Sequence, residues 1–179
     1  MPVNDIQFIR QRGFSLIELV VMIVVLSLAL TGVTIAINET VKHSAKPLVH
    51  TRAMELAQAY LDEILTKRYD EHSGQGGIPR CNSTDPGHRA CSTTLGPDPG
   101  ETRATYDDVD DYNGLDESPP RGAQGTVLSG YAGYRVRISV VYAGTGLGLT
   151  NNQGAKLITV TITSPLGTNL VFSAYRVNY

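Results

Sequence analysis

Tryptophan is absent from this chain, phenylalanine occurs three times and cysteine only twice. Two cysteines can form one disulfide, so a framework of several disulfides is excluded. Neither sign of charge dominates, because the formal net charge over 179 residues is −2. Such a balance gives no strong field toward nucleic acid or toward an anionic membrane surface.

The motifs of the common enzyme classes are missing as well. The sequence contains no GxSxG elbow, no HExxH, no CxxC and no phosphate-binding loop. A GxGxG spacing begins at Gly144, but Leu149 stands where a dinucleotide fingerprint needs its third glycine. We therefore expect no enzyme, and a membrane-anchored periplasmic hydrolase is the enzymatic alternative.

One long apolar run is present, over residues 14–37, and its only charged residue is Glu18. A helix of that length rises roughly 36 Å, enough to cross the hydrocarbon core of a bilayer. Because Arg10 and Arg12 precede the run, we expect the N-terminus inside the cell and the rest of the chain outside the inner membrane. No small-x-small cleavage site follows the run, so we expect it to stay attached.

The carboxylate of Glu18 is unusual in this setting, since a charge at the centre of a membrane helix costs on the order of 3 kcal/mol. An ordinary signal anchor explains the apolar residues and the arginines. It explains neither Glu18 nor Gly13, which directly precedes the first apolar residue.

The stretch GFSLIE, residues 13–18, resembles the class III signal of type IV pilins and pseudopilins. The resemblance implies that residues 1–13 are a leader, that a prepilin peptidase cleaves between Gly13 and Phe14, and that the new amine of Phe14 is methylated. It also implies that residues 14–37 are the transmembrane and assembly half of a long helix. The implied partners are the peptidase, other major and minor pilins, and an inner-membrane assembly platform.

The resemblance also gives Glu18 a role in assembly. In a filament of packed helices, the glutamate of one subunit can meet the N-terminal amine of its neighbour. A paired charge is tolerated in a low dielectric, whereas an unpaired one is heavily penalised. Glu18 would then favour the axial offset between subunits that forms the pair.

Residues 38–179 are expected to form a periplasmic pilin-like domain of the α+β class. We predict helix to about residue 68, a loop region over 69–126 and an antiparallel sheet over 127–179. The helical prediction rests on apolar residues at i, i+3/i+4 and i+7 spacing: Val49, Ala53, Leu56, Ala57, Tyr60, Leu61, Ile64 and Leu65. The strand prediction rests on apolar residues at every second position over 134–142 and 158–163, with a less regular strand over 170–177. One face of the helix is expected to cover the apolar face of the sheet.

Cys81 and Cys91 are the only cysteines, and the chain around them is expected in an oxidising periplasm. We predict a disulfide between them, which would contribute roughly 3 kcal/mol in the chain-entropy model. A zinc site is the weaker alternative, because two further ligands are missing and His88 alone does not complete it.

The stretch TYDDVDDYNGL, residues 105–115, holds Asp107, Asp108, Asp110 and Asp111. So much negative charge must be solvated, capped by backbone N–H groups, neutralised by a cation such as calcium, or used to bind a partner. The spacing does not match an EF-hand loop. Four adjacent carboxylates are also not the separated acid and base of a glycosidase.

The sequence resembles minor pilins of the mannose-sensitive haemagglutinin (MSHA) type in four parts: the helical stretch RAMELAQAYLDEIL, the two-cysteine loop, the Asp-rich stretch and the closing strands. The resemblance implies a minor subunit in pilus biogenesis and assembly, with adhesion as a further role. A minor pseudopilin of a type II secretion system is the alternative. A DNA-uptake pilin is disfavoured, because removing the leader makes the net charge more negative, and we expect no nucleic-acid partner.

Overall fold

The computed structural model of the protein describes Gly13 and residues 15–179, with residues 40–46 as backbone only. In chain order the elements are α1 (Leu16–Leu65), β1 (Asp116–Glu117), β2 (Arg135–Tyr142), β3 (Ala155–Thr163) and β4 (Asn169–Val177). The chain divides into two compact units, Met1–Lys46 and Pro47–Tyr179.

The first unit contains the apolar part of α1. Its stretch Leu16–Glu39 has a mean hydropathy of 2.7, and none of it is buried, so by length and composition it is able to cross a membrane. The hydroxyls of Ser27, Thr31 and Thr34 each donate to the carbonyl four residues earlier. These bonds satisfy the polar groups within the helix itself, as a lipid environment requires.

The second unit contains an antiparallel sheet in the order β1-β2-β3-β4. The register places Val140 opposite Ile158 and Ile158 opposite Ala174, so the even-numbered residues of three strands share one face. This is the half-buried sheet that the alternation of apolar residues predicts. β1 was not predicted, because two residues are too few to show a period.

The C-terminal part of α1 covers that face of the sheet. The helical residues of the core are Ala53, Leu56, Ala57, Tyr60, Leu61 and Ile64, and the strand residues are Val136, Ile138, Val140, Ile158, Val160 and Ile162. Val49 and Leu65 are partly buried against them. The predicted α+β pilin-like fold and the predicted helical face are therefore confirmed.

The helix ends three residues earlier than predicted. The backbone N–H of Lys67 bonds to the carbonyl of Ile64, which tightens the last turn. The backbone N–H of Arg68 then bonds to Asp107 instead of continuing the helical ladder. A contact with a distant loop, which periodicity cannot reveal, sets the end of α1.

The long connection between α1 and β1 (the αβ-loop) contains the predicted disulfide. Cys81 and Cys91 are bonded, and both are buried against Tyr69 and Tyr142. The side-chain amide of Asn178 donates to the carbonyl of Cys81 at 2.9 Å. The disulfide loop is thereby attached to the chain just beyond β4.

Candidate functional site

The predicted processing and assembly residues lie at the N-terminal end of the described chain. Gly13 is exposed, whereas Phe14 lies outside the described residues. Glu18 is exposed in the first turn of α1. Among the residues that the structure describes, no side chain pairs with its carboxylate. Cleavage after Gly13, methylation of Phe14 and pairing of Glu18 stay predictions.

The Asp-rich stretch divides into one exposed and three buried aspartates. Asp108, Asp110 and Asp111 are each at most 3% exposed. The side chain of Asp107 is about half exposed and forms an ion pair with Arg68 at 2.5 Å. The sequence left open whether these carboxylates are solvated. Only Asp107 is exposed enough to be solvated.

Backbone N–H groups cap two of the buried carboxylates. Asp111 Oδ2 accepts from the N–H of Asp107 at 2.9 Å and of Asp108 at 3.0 Å. Asp108 Oδ1 accepts from the N–H of Asp110 at 2.9 Å and of Asp111 at 3.3 Å. Carboxylates that accept two backbone bonds in this way hold a loop in one conformation.

The third buried carboxylate, Asp110, is neutralised by Lys156 of β3. The Nζ atom of Lys156 lies 2.5 Å from Asp110 Oδ1 and 3.4 Å from Asp70 Oδ2, and it donates to the carbonyl of Tyr69 at 2.6 Å. The residue is fully buried. The ammonium of Lys156 therefore supplies the positive charge that a bound cation would otherwise supply.

Asp70 connects this charge cluster to the chain just beyond the disulfide. Its carboxylate accepts from the backbone N–H and the hydroxyl of Ser92. The hydroxyl of Tyr142 lies 2.8 Å from the carbonyl oxygen of Ser92 and 3.2 Å from Asp70 Oδ2, so these two acceptors share its one proton. Burial by itself raises the pKa of the Asp70 carboxyl. Lys156 and the N–H donors outweigh that effect and hold the pKa below its ordinary value.

Among the described residues, no cationic side chain forms an ion pair with Asp108. Burial, followed by the hydrogen bond to Asp110 and the negative charges of Asp110 and Asp111, raises the pKa of Asp108 to about 9. At neutral pH its carboxyl is therefore protonated, which lowers the repulsion among the three buried aspartates.

Two groups of carboxylates converge closely enough to be considered for a metal, and Asp107 belongs to both. The first adds Glu71 and Asp108, and the second adds Glu101 and Asp111. Arg68 already occupies the first group, with its Nη2 atom 2.9 Å from Glu71 and 2.5 Å from Asp107. In the second group, burial and the neighbouring Asp111 raise the pKa of Glu101 to about 7. The four aspartates considered from the sequence do not form one set of ligands, because Asp110 is bound to Lys156. Calcium binding stays a prediction.

A second, partly buried ionic cluster, which the sequence did not suggest, surrounds Arg103 of the αβ-loop. Its guanidinium forms two parallel bonds to Glu63 of α1, at 2.6 and 2.8 Å. The hydroxyl of Tyr112 donates to Glu63, and that of Tyr60 donates to Glu117 of β1, each at 2.5 Å. The cluster joins the loop to the helix and to the first strand.

Sequence reasoning missed the residues that neutralise the acidic stretch. A lysine at a strand end is usually exposed, so its residue type does not predict that Lys156 is buried. The one usable sign is its spacing: Lys156 lies two residues before Ile158 and four before Val160, so the alternation of a strand places it on the same core-facing side. Asp70 and Glu101 are distant in sequence, so only the tertiary structure brings them to the cluster.

Comparison with known proteins gives one family-level match. Residues 9–34 match the family model described as the prokaryotic N-terminal methylation motif. Searches of curated proteins and of solved structures found no match to this chain. The motif supports a type IV pilin-like or pseudopilin-like protein, a structural and not an enzymatic family.

Proposed function

We propose that this protein is a minor pilin-like subunit of a type IV pilus of the MSHA type, with a role in pilus assembly and adhesion. The observation that carries the proposal is the N-terminal methylation motif over residues 9–34, placed at the start of an apolar helix. The fold supports it, because the second unit packs the C-terminal part of α1 on an antiparallel sheet.

In this proposal the chain is inserted once in the inner membrane, with residues 38–179 in the periplasm. The two arginines before the apolar run favour that orientation. The prepilin peptidase removes residues 1–13, and the amine created at Phe14 carries a positive charge. Glu18 of one subunit pairs with this amine on its neighbour, which stabilises both charges at low dielectric.

N-terminal mass spectrometry of the membrane form tests the proposal. We expect a mature chain that begins at Phe14 with a methylated amine, in cells that process their other pilins. Gly13→Leu serves as the matched control and should remain uncleaved, because a bulky side chain replaces the glycine before the cleavage point. A native chain that keeps its first thirteen residues in such cells would refute the proposal.

A deletion strain tests the specific assignment against the alternative. Loss of surface pili with normal protein secretion would support the pilus subunit. Loss of type II secretion with normal pili would instead identify a minor pseudopilin, which would share the motif, the helix and the sheet.

A further inference from the structure

A cleft of about 460 Å³ lies in the second unit, where the chain leaves α1 and passes beside β4. It is lined by Thr66, Lys67, Arg68, Tyr69, Gln75, Gly76, Gly77, Asp107 and Arg176. Three of these side chains are cationic and only one is a carboxylate. Neither the pilus assignment nor the buried charge cluster gives this cleft a role.

Two of the three cations already have partners. Arg68 is paired with Asp107 and Glu71, and Lys67 donates to the carbonyl of Tyr106 at 2.6 Å. These two residues lie two and three positions beyond the end of α1, where their charges also compensate the partial negative charge at the C-terminal end of that helix.

Arg176 differs from the other two cations. It follows Leu170, Phe172 and Ala174 on the core-facing side of β4, and it lies opposite Lys156 in the strand register. Its Nε atom is shielded from solvent and has no acceptor among the described residues. The guanidinium carbon of Arg176 lies 5.7 Å from the centroid of the Tyr179 ring.

A buried donor without an acceptor is costly, and a charged ligand oxygen would remove that cost. Guanidinium groups also bind carboxylate and phosphate oxygens through two parallel hydrogen bonds. The carbonyl of Tyr179 lies near Gly77 and opposes an anion there. The three cationic side chains and the single carboxylate of the cleft favour binding of an anion.

We propose that this cleft binds a small anion, whose carboxylate or phosphate oxygens accept hydrogen bonds from Arg176. Its volume lies within the range of small-molecule sites, roughly 300–1,000 Å³. A protein partner would instead need a surface of about 800 Å² on each side. The site concerns the second unit alone, so it does not depend on processing or on assembly.

Isothermal titration calorimetry on the full chain in detergent tests the site, with D-glucuronate and inorganic phosphate as probes and D-glucose as the neutral control. We expect binding of at least one anion and none of glucose. Arg176→Gln should weaken that binding at least about tenfold, since a charge-assisted contact is lost. The matched control Arg137→Gln, which removes an exposed arginine on the other face of the sheet, should leave binding unchanged.

A second variant separates loss of the ligand contact from loss of the fold. Arg176→Lys keeps the charge but not the planar fork, so its affinity should lie between those of wild type and Arg176→Gln. Tyrosine fluorescence of each variant must show the wild-type unfolding curve. Glucuronate binding alone would identify a carboxylate ligand, and phosphate binding alone a phosphate ligand. The proposal is overturned if wild type binds neither anion, or if Arg137→Gln weakens binding as much as Arg176→Gln.

Discussion

Lys156 is the single residue on which the buried charge of the second unit most depends. Its ammonium lies between Asp110 and Asp70, and all three side chains are at most 4% exposed. Breaking a buried ion pair by removing one partner leaves a charge without compensation, which is much more costly than losing an exposed pair.

Lys156→Met should lower the free energy of unfolding by about 3–5 kcal/mol, because it removes the cation and keeps most of the volume. Urea unfolding followed by tyrosine fluorescence measures this, since the chain has no tryptophan and all nine tyrosines lie at or beyond Tyr60. Arg137→Met is the matched control and should change stability by no more than about 0.5 kcal/mol. A loss below about 1 kcal/mol in Lys156→Met would contradict the buried pair.

Asp108 makes stability depend on pH in the direction opposite to most carboxyl groups. Its pKa rises from an ordinary value of 3.8 to about 9 in the folded chain, chiefly through burial. The folded state therefore binds more protons than the unfolded state between those values. The contribution of Asp108 to stability is complete below about pH 4 and is lost as the pH rises toward about 9.

Asp108→Asn should remove this loss, because the amide keeps an oxygen for the two backbone N–H groups but does not titrate. We expect the difference in unfolding free energy, wild type minus variant, to fall with rising pH by up to about 1.4 kcal/mol per unit. Asp70 and Glu63 have lowered pKa values and lose their contributions as the pH falls, but they are common to both chains. A difference that is flat from pH 4 to pH 9 would show that Asp108 is ionised.

At the scale of elements, the Asp-rich stretch is held by its own backbone and by the ends of its neighbours. The N–H of Val109 bonds to the carbonyl of Arg68, and the N–H of Arg68 bonds to Asp107, so the stretch pairs with the chain that leaves α1. An ammonium and a guanidinium already neutralise much of its charge.

For that reason we expect calcium to bind this stretch no more tightly than millimolar, the weak end of protein calcium sites. Calorimetric titration of the full chain with calcium measures this affinity. The titration curves of the wild type and of Glu101→Gln should agree. A micromolar dissociation constant that Glu101→Gln abolishes would establish a calcium site at Glu101, Asp107 and Asp111 instead.

Local pattern predicted the elements that have a regular period and missed those that do not. The helical face from Val49 to Leu65 and the three long strands follow from spacing alone, because burial of one face imposes a period of 3.6 or 2. β1 and the early end of α1 depend on partners far along the chain. The disulfide was predictable because no other cysteine is present.

On the scale of the whole molecule, assembly is predicted to depend on Glu18. Glu18→Val should leave membrane insertion intact, because the variant makes the apolar run more hydrophobic. It should block incorporation into filaments, because the amine at Phe14 of the neighbouring subunit loses its partner. Membrane fractionation and immunodetection in sheared pili measure the two steps separately, with Ser15→Ala as a control in the same turn. Normal filaments built from Glu18→Val would refute the pairing.

The sequence by itself determined the membrane-competent helix, the methylation motif and the helix-on-sheet architecture, because each depends on residues that are close together in the chain. Only the tertiary structure decided how the acidic stretch is neutralised and where the two ionic clusters form. It also decided that the Nε donor of Arg176, beside a cleft, has no acceptor among the described residues. Those features join residues dozens of positions apart, such as Asp70 with Lys156 and Glu63 with Arg103. Charge balance in a protein interior is set by distances in space, which no local pattern of residue types records.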